Sequence, residues 1–346
     1  MIYGAYGYTG RLVAELAVAY GERPVLAGRD PVRLDRLARQ LDLEHMAFAL
    51  SDVAAVARAL EGIDVVAHCA GPFSATAAPM VTACLDSGTH YLDITGEIDV
   101  LEAVLARDAD AKAAGVVLLP GAGFDVVPSD CLAAQVAARL PTATLLELAF
   151  RIDGLPSAGT AKSAVEALGR TARCRVGGRI VDTPPPQRRR RTVRFADGEC
   201  AVTAVSWGDV ATAFHSTGIP DVSTYTVLPA AVGVLAALAA RSGGAVRHPL
   251  VQRVLTAAAS RLPGPSPEAR RRQGAALWCR ASDDAGNEVT GIATTPNAYS
   301  LTAQSVVRIA AALAAGGVGP GALTPSRALG AGFAAELDGV RITVPA

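Results

Sequence analysis

Lysine is almost missing from this chain of 346 residues: Lys112 and Lys162 are the only two, and every other basic side chain is arginine. The 32 basic and 32 acidic residues cancel to a formal net charge of zero. No long-range field therefore draws the chain towards nucleic acid or an anionic membrane. With arginine so abundant, the runs Arg188–Arg191 and Arg270–Arg272 read as solvated surface rather than as phosphate contacts. Cysteine occurs at Cys69, Cys84, Cys131, Cys174, Cys200 and Cys279, with no CxxC pair, and the histidines show no metal-type spacing. No metal site is expected, and reduced thiols in a cytoplasmic protein are. Long apolar runs are also missing. Val227–Ala240 is interrupted by Pro229 and falls short of the roughly 18–20 residues that span a bilayer. It reads as a buried helix, favoured over an interfacial membrane helix. With a glycine motif beginning at Gly4, no signal peptide is expected.

What is present is a strand–helix alternation over the first 140 residues. Ile2–Tyr3, Pro24–Ala27, His45–Leu50, Ile63–Cys69, His90–Ile94 and Val116–Leu119 read as strands. Between them Leu12, Leu16 and Ala19 repeat at helical spacing, as do Leu34, Leu37 and Leu41, then Val53, Val56 and Leu60. Asp30-Pro31 is an N-cap followed by proline at the first helical position. Such alternation implies parallel βαβ units with helices on both faces, hence an α/β, doubly wound Rossmann-type parallel sheet. After Pro141 the rhythm changes to a second, α+β domain. Thr144–Ile152 is strand-like and Thr160–Leu168 helical. Asp197-Gly198 and Asp284–Asn287 mark hairpin turns between strand-like runs. Pro184–Pro186 reads as a loop, and Ser300–Ala315 as a long helix that Gly316–Gly321 ends. The expected organisation is 1–140 as the nucleotide domain, 141–298 as a substrate or dimerisation domain, and 299–346 as a C-terminal helix and segment.

Gly4, Gly7 and Gly10 lie between a short strand and an amphipathic helix. Such a turn lets backbone approach a pyrophosphate, with the anion at the positive end of the helix. The position, more than the glycines, points to a nicotinamide dinucleotide. Gly4, Tyr6, Gly7, Tyr8, Thr9 and Gly10 are the loop residues expected to hold it. The strand ahead of them has at most three residues, short for a central strand. At the end of the second strand an NAD enzyme would place an acidic residue for the ribose hydroxyl. Here Arg29 stands instead, a guanidinium suited to a 2′-phosphate, so NADPH is favoured over NADH. The fourth strand runs into Ala70, Gly71, Pro72 and Phe73, expected beside the nicotinamide half.

Hydride transfer needs the cofactor, an oriented substrate and usually a proton donor. No tyrosine is followed four residues later by lysine, and no Ser-His-Asp pattern stands out, so the catalytic residues are not identified by motif. Asp93, Asp125 and Lys162 are the weak candidates: the two carboxyls belong at the ligand edge of the sheet, and the scarce lysine sits at a probable helix start near Ser157 and Thr160. Glu97 has the same placement, with a cap or interdomain ion pair as its structural role. Ser129 or Asp130 reads as an N-cap for the following helix.

Several segments together resemble the saccharopine dehydrogenase-like family, in the branch of stand-alone reductases that includes trans-acting enoyl reductases. They are Gly4–Gly10 with Arg11, Ala27-Gly28-Arg29-Asp30, Ala70-Gly71-Pro72-Phe73, Cys84–Glu97, Pro120–Asp130, Gly159-Thr160, Trp207-Gly208-Asp209, and Thr324-Pro325-Ser326 to Gly339-Val340. The resemblance implies a Rossmann domain followed by an α+β domain, with the C-terminal segment returning to the first. It also implies NAD(P)H-dependent reduction, in some relatives of an enoyl group on a lipid or polyketide chain. The expected partner is a small, largely apolar or acyl-type substrate, and a homo-oligomer is open. The rival readings are a non-catalytic NADPH-binding protein and a lipid-associated partner protein.

Overall fold

The structure, a computed structural model, describes residues 1–154, 156–167, 171–182, 191–227 and 248–345. Pro184–Pro186, Arg188–Arg190 and all of Val227–Ala240 but Val227 lie outside them. Among the described residues no helix is long and apolar enough to cross a membrane.

The first half alternates as its periodicity requires: β1 (Ile2–Tyr3), α1 (Tyr8–Ala19), β2 (Leu26–Gly28), α2 (Pro31–Leu41), β3 (His45–Ala47), α3 (Val53–Ala59), β4 (Val65–His68), α4 (Phe73–Ser87), β5 (His90–Asp93), α5 (Ile98–Leu105), α6 (Asp108–Ala114) and β6 (Val117–Leu119). Helix α2 shows how local chemistry sets the boundaries. Asp30 accepts hydrogen bonds from the N–H groups of Val32 and Arg33 at 3.0 and 3.1 Å. Pro31 follows at the first helical position, and Leu34, Leu37 and Ala38 are buried on one face. The strands pair in parallel in the order β3-β2-β1-β4-β5-β6, and a later strand, β15 (Gly321–Ala322), adds beyond β6. Chain direction across the sheet reverses between β1 and β4, and the carboxyl ends of these two strands open the crevice where such sheets bind ligands. The fold is therefore the doubly wound Rossmann type.

Helix α7 (Val127–Arg139) leads out of this sheet. Its start at Val127 corrects the expected cap: Ser129 and Asp130 lie inside the first turn, wholly buried. The Asp130 carboxylate instead accepts from the Ser326 N–H at 2.7 Å and from the Ser216 hydroxyl. Buried Leu132 and Val136 of α7 face the second sheet, where a Cβ at Gly291 would come within 2.9 Å of both.

That second sheet is mixed. It contains β7 (Leu145–Ile152), β8 (Arg173–Val176), β9 (Arg179–Asp182), β10 (Arg191–Phe195), β11 (Gly198–Ala204), β12 (Asp221–Thr226), β13 (Gly274–Ser282), β14 (Glu288–Pro296) and β16 (Arg341–Thr343). The main path runs β10-β11-β12-β7-β13-β14-β16, parallel only between β12 and β7. Both expected hairpins form, β10 with β11 across Asp197 and β13 with β14 across Asp284–Asn287. Alternation along β13 splits the sheet faces: Ala275, Leu277, Cys279 and Ala281 join the main core, whereas Ala276 and Trp278 face Val193, Phe195 and Val202. Helices α8 (Ala158–Ala167), α9 (Asp209–Thr217), α10 (Pro249–Ala259) and α11 (Pro267–Arg272) connect these strands.

The last fifty residues serve both sheets. Helix α12 (Ala298–Ala314) packs on α1, β4 and β5 through Leu301, Val306 and Ile309, while β15 extends the first sheet and β16 the second. Each fully buried leucine or isoleucine there stabilises the joint by about 1.5–3 kcal/mol.

Candidate active site

At the crevice the glycines are required by contact. Gly4 has φ +82, and a Cβ there would sit 2.8 Å from the Ala70 Cβ at the end of β4. A Cβ on Gly10 would sit 2.4 Å from the Gly4 carbonyl oxygen. Gly7 caps the helix and donates to the Gly4 carbonyl at 2.9 Å. The Tyr8, Thr9 and Gly10 N–H groups find no carbonyl acceptor among the described residues, and the first turn of α1 holds no acidic side chain. A bare backbone cradle at a positive helix end fits a pyrophosphate.

Beside it, Tyr6 meets two arginines, one through its backbone and one through its guanidinium. Its phenol accepts the Arg29 N–H at 3.3 Å, its carbonyl accepts from Arg33 at 3.3 Å, and the Arg33 guanidinium lies 4.4 Å over the ring. Neither arginine has a carboxylate partner among the described residues. Arg33 was not singled out in the sequence; its position three residues past the cap of α2, facing back towards β2, was the available signal.

The segment after β4 is held from β5. The Glu97 carboxylate accepts the N–H groups of Phe73 at 2.9 Å and Ser74 at 2.8 Å, capping α4 from a different loop. Glu97 in turn donates its N–H to the Thr95 hydroxyl at 3.0 Å. The Asp93 carboxylate holds the N–H groups of Thr95 (3.0 Å) and Gly121 (2.9 Å) and the Tyr91 hydroxyl (2.6 Å). Burial pushes the Asp93 carboxyl up to about 6 against these three bonds. Fully buried and occupied by three donors, the Asp93 carboxylate fixes Tyr91, Thr95 and Gly121 and does not present itself to a ligand. His68, at the end of β4, is also buried; burial pulls its imidazole down to about 3, so it stays neutral, edge-on to Phe73 at 5.3 Å.

Asp125 differs from Asp93. Its carboxyl lies over Gly96, where a Cβ would come within 2.8 Å of Oδ2, and it keeps part of its surface accessible. It has no side-chain hydrogen bond among the described residues, and burial pushes it up to about 6. Trp207, stacked on Phe150 at 4.7 Å, donates its indole N–H to the Asp125 carbonyl at 2.9 Å and fixes the backbone there. Gly96 precedes Glu97, so Asp125 is one residue removed from the group that caps Phe73. Behind it Asp209 is wholly buried with neither oxygen partnered among the described residues, and burial raises its carboxyl well above the usual range.

Lys162 stands one turn inside α8 rather than in the first turn, half-buried and without an ion pair among the described residues. The start of that helix reaches the cofactor side through Tyr299. The Tyr299 hydroxyl accepts the Ser157 N–H at 2.6 Å and lies 3.0 Å from the Thr160 hydroxyl, and its ring meets Tyr8 edge-on at 5.0 Å. No contact joins Lys162 to Asp93 or Asp125 among the described residues. The structure thus gathers Gly4–Gly10, Arg29 and Ala70–Phe73 around one crevice, with Asp125 beside it and Lys162 on a neighbouring helix.

Residues 1–119 match the family described as saccharopine dehydrogenase NADP binding domain. A probable mitochondrial saccharopine dehydrogenase-like oxidoreductase of Arabidopsis thaliana is 32% identical over 147 residues, 38% of this chain and 32% of its own length. A trans-acting enoyl reductase of Mycobacterium leprae is 32% identical over 148 residues, 40% of this chain and 35% of its own. The human saccharopine dehydrogenase-like oxidoreductase is 27% identical over 195 residues, 49% and 46% respectively. The chain thus spans from a third to just under half the length of these curated relatives. Apo saccharopine dehydrogenase (L-Glu forming) of Saccharomyces cerevisiae shares the fold, with a TM-score of 0.66 at 12% identity over 100% of this chain and 99% of that one.

Proposed function

From the match of residues 1–119 to the saccharopine dehydrogenase NADP binding domain, we propose that the chain is an oxidoreductase that uses NADPH in preference to NADH. Its substrate in this proposal is largely apolar and acyl-type, with an enoyl group as the reducible function. The observation that carries the NADPH preference is the pair Arg29, just after β2, and Arg33, in the first turn of α2, both without a carboxylate partner among the described residues, with Tyr6 holding the Arg29 backbone N–H and the Arg33 guanidinium. Planar guanidiniums of this kind match a phosphate on the adenosine ribose.

The nicotinamide supplies a hydride when bound; the rest falls to side chains of this chain. Gly4, Tyr6, Gly7, Tyr8, Thr9 and Gly10 hold the pyrophosphate half. Ala70, Gly71, Pro72 and Phe73, anchored by Glu97, wall the nicotinamide half and exclude water from it. Asp125 is the proton donor: an accessible carboxyl with a pKa near 6 keeps a protonated fraction close to neutrality. Lys162 receives an anionic group carried by the substrate, such as a thioester's phosphate arm. In this reading 1–140 is the nucleotide domain, 141–298 the substrate domain and 299–346 the segment that joins them.

The test is calorimetry followed by turnover. NADPH is expected to bind at least about tenfold more tightly than NADH, roughly 1.4 kcal/mol. NADPH oxidation is expected with enoyl thioesters, faster as the acyl chain lengthens. Absence of heat with either dinucleotide sinks the proposal, equal affinities sink the NADPH preference, and tight binding without turnover leaves a nucleotide-binding partner protein.

A further inference from the structure

The arginine run Arg270–Arg272 belongs to α11, more than 250 residues from the glycine turn, yet Arg270 reaches it. The Tyr8 phenol, on the first residue of α1, accepts from Arg270 Nη1 at 3.0 Å and donates to the Pro265 carbonyl at 2.6 Å. Arg270 Nη1 also donates to that carbonyl at 3.2 Å. The chain before α11 is shaped around the ring: Gly264 has φ +77, and a Cβ there would come within 2.7 Å of Tyr8. Burial raises the Tyr8 phenol, which keeps its proton and so its donation to Pro265.

The charge balance is the telling part. Glu268, the one acidic residue of α11, pairs with Arg272 at 3.4 Å. Arg270 has no carboxylate partner among the described residues, and its guanidinium bonds there use Nη1 alone, which carries two of the five N–H groups a guanidinium offers. A cation is thus held by the phenol of Tyr8, a residue whose own N–H, with those of Thr9 and Gly10, finds no carbonyl acceptor among the described residues.

We propose that Arg270 is a pyrophosphate-binding residue supplied by the second half of the chain, clasped over the cofactor cradle by Tyr8. The inference rests on the dinucleotide reading above and extends it: Arg29 and Arg33 answer the adenosine phosphate that only NADPH carries, whereas Arg270 answers the diphosphate common to both nucleotides. Its expected signature is therefore loss of affinity without loss of preference.

The experiment measures dissociation constants of NADPH and NADH by calorimetry for the full chain and four variants. Arg270→Met is expected to weaken both nucleotides by about tenfold and equally, and Arg270→Lys to recover most of it. Tyr8→Phe, which keeps the ring in its socket and drops the clasp, is expected to weaken both by about threefold. Arg29→Ala weakens NADPH alone. A second readout needs no variant to bind well: NADH affinity of the parent chain falls more steeply with salt than that of Arg270→Met. Unchanged affinities in a folded Arg270→Met, or a loss confined to NADPH, overturn the assignment while leaving the dinucleotide reading intact. A parent chain that binds neither nucleotide overturns both.

Discussion

The arginines of the two sheets live under opposite rules. At the centre of the mixed sheet acid answers them: buried Glu147 accepts from Arg191 and Arg280, Arg280 also meets Glu288 at 2.9 Å, and Arg151 meets Asp197. Around the crevice of the parallel sheet, Arg29, Arg33 and Arg270 have no acidic partner among the described residues, and the guanidiniums of Arg33 and Arg270 are held by aromatic rings, carbonyls and a phenol instead. A guanidinium steered by neutral groups keeps its full charge for a ligand; one locked to a carboxylate holds strands together. The same chemistry serves stability in one region and, in the function proposed above, recognition in the other.

Breaking that comparison at its stable end gives the largest effect. Glu147→Ala strands two arginines and the Tyr225 hydroxyl, 3.2 Å away, and is expected to lower the unfolding free energy by about 3 kcal/mol in urea titration. The affinity of the folded fraction for NADPH stays as it was; a joint loss of stability and affinity would mean that the two arginine systems are coupled. Next comes Gly10→Ala, whose added methyl meets the Gly4 carbonyl. A cost of about 2 kcal/mol is expected together with disappearance of dinucleotide binding by calorimetry. Arg29→Ala sharpens the comparison from the other side: about a tenfold loss for NADPH, none for NADH, and a thermal midpoint within error of the parent. Retained NADPH affinity would remove Arg29 from the site.

The smallest effect is a pH slope. The Asp125 carboxyl sits at about 6 in the folded chain against 3.8 ordinarily, so across that window the folded state holds a proton that the unfolded state has released. Stability therefore falls as pH rises from about 4 to above 6. Asp125→Asn is expected to flatten that fall in thermal scans, leaving the share contributed by Asp93. In turnover the parent's rate should decline as pH climbs through 6, and Asp125→Asn should lose that limb along with most of its rate. A variant with the parent's pH profile would free Asp125 of the proton-donor role.

The parallel sheet was legible because its information is local. Leu34, Leu37 and Leu41 carry their period within one helix, Asp30-Pro31 marks its start, and Gly4, Gly7 and Gly10 lie within seven residues. What escaped is whatever the fold brings together from afar. Glu97 caps α4 from 23 residues downstream, so its role was visible only as one of two alternatives. Arg270 reaches Tyr8 across 262 residues and read as plain surface because charge runs usually are. Ser129 and Asp130 looked like caps by composition, yet α7 begins earlier at Val127 and buries both, with Ser129 donating to the Val126 carbonyl and Asp130 accepting from Ser216 and Ser326. Asp93 and Asp125 were indistinguishable as acids at a sheet edge; only their neighbours, three donors for one and an open flank for the other, separate them.

Helix α12 and strand β15 come late in the chain but finish the sheet that begins it. During synthesis, a ribosome that has released the first 140 residues has exposed an apolar surface on α1, β4 and β5 whose cover is still some 160 codons away. The first half thus cannot complete its core ahead of these elements: it must wait, sheltered or sticky, until α12 and β15 have followed.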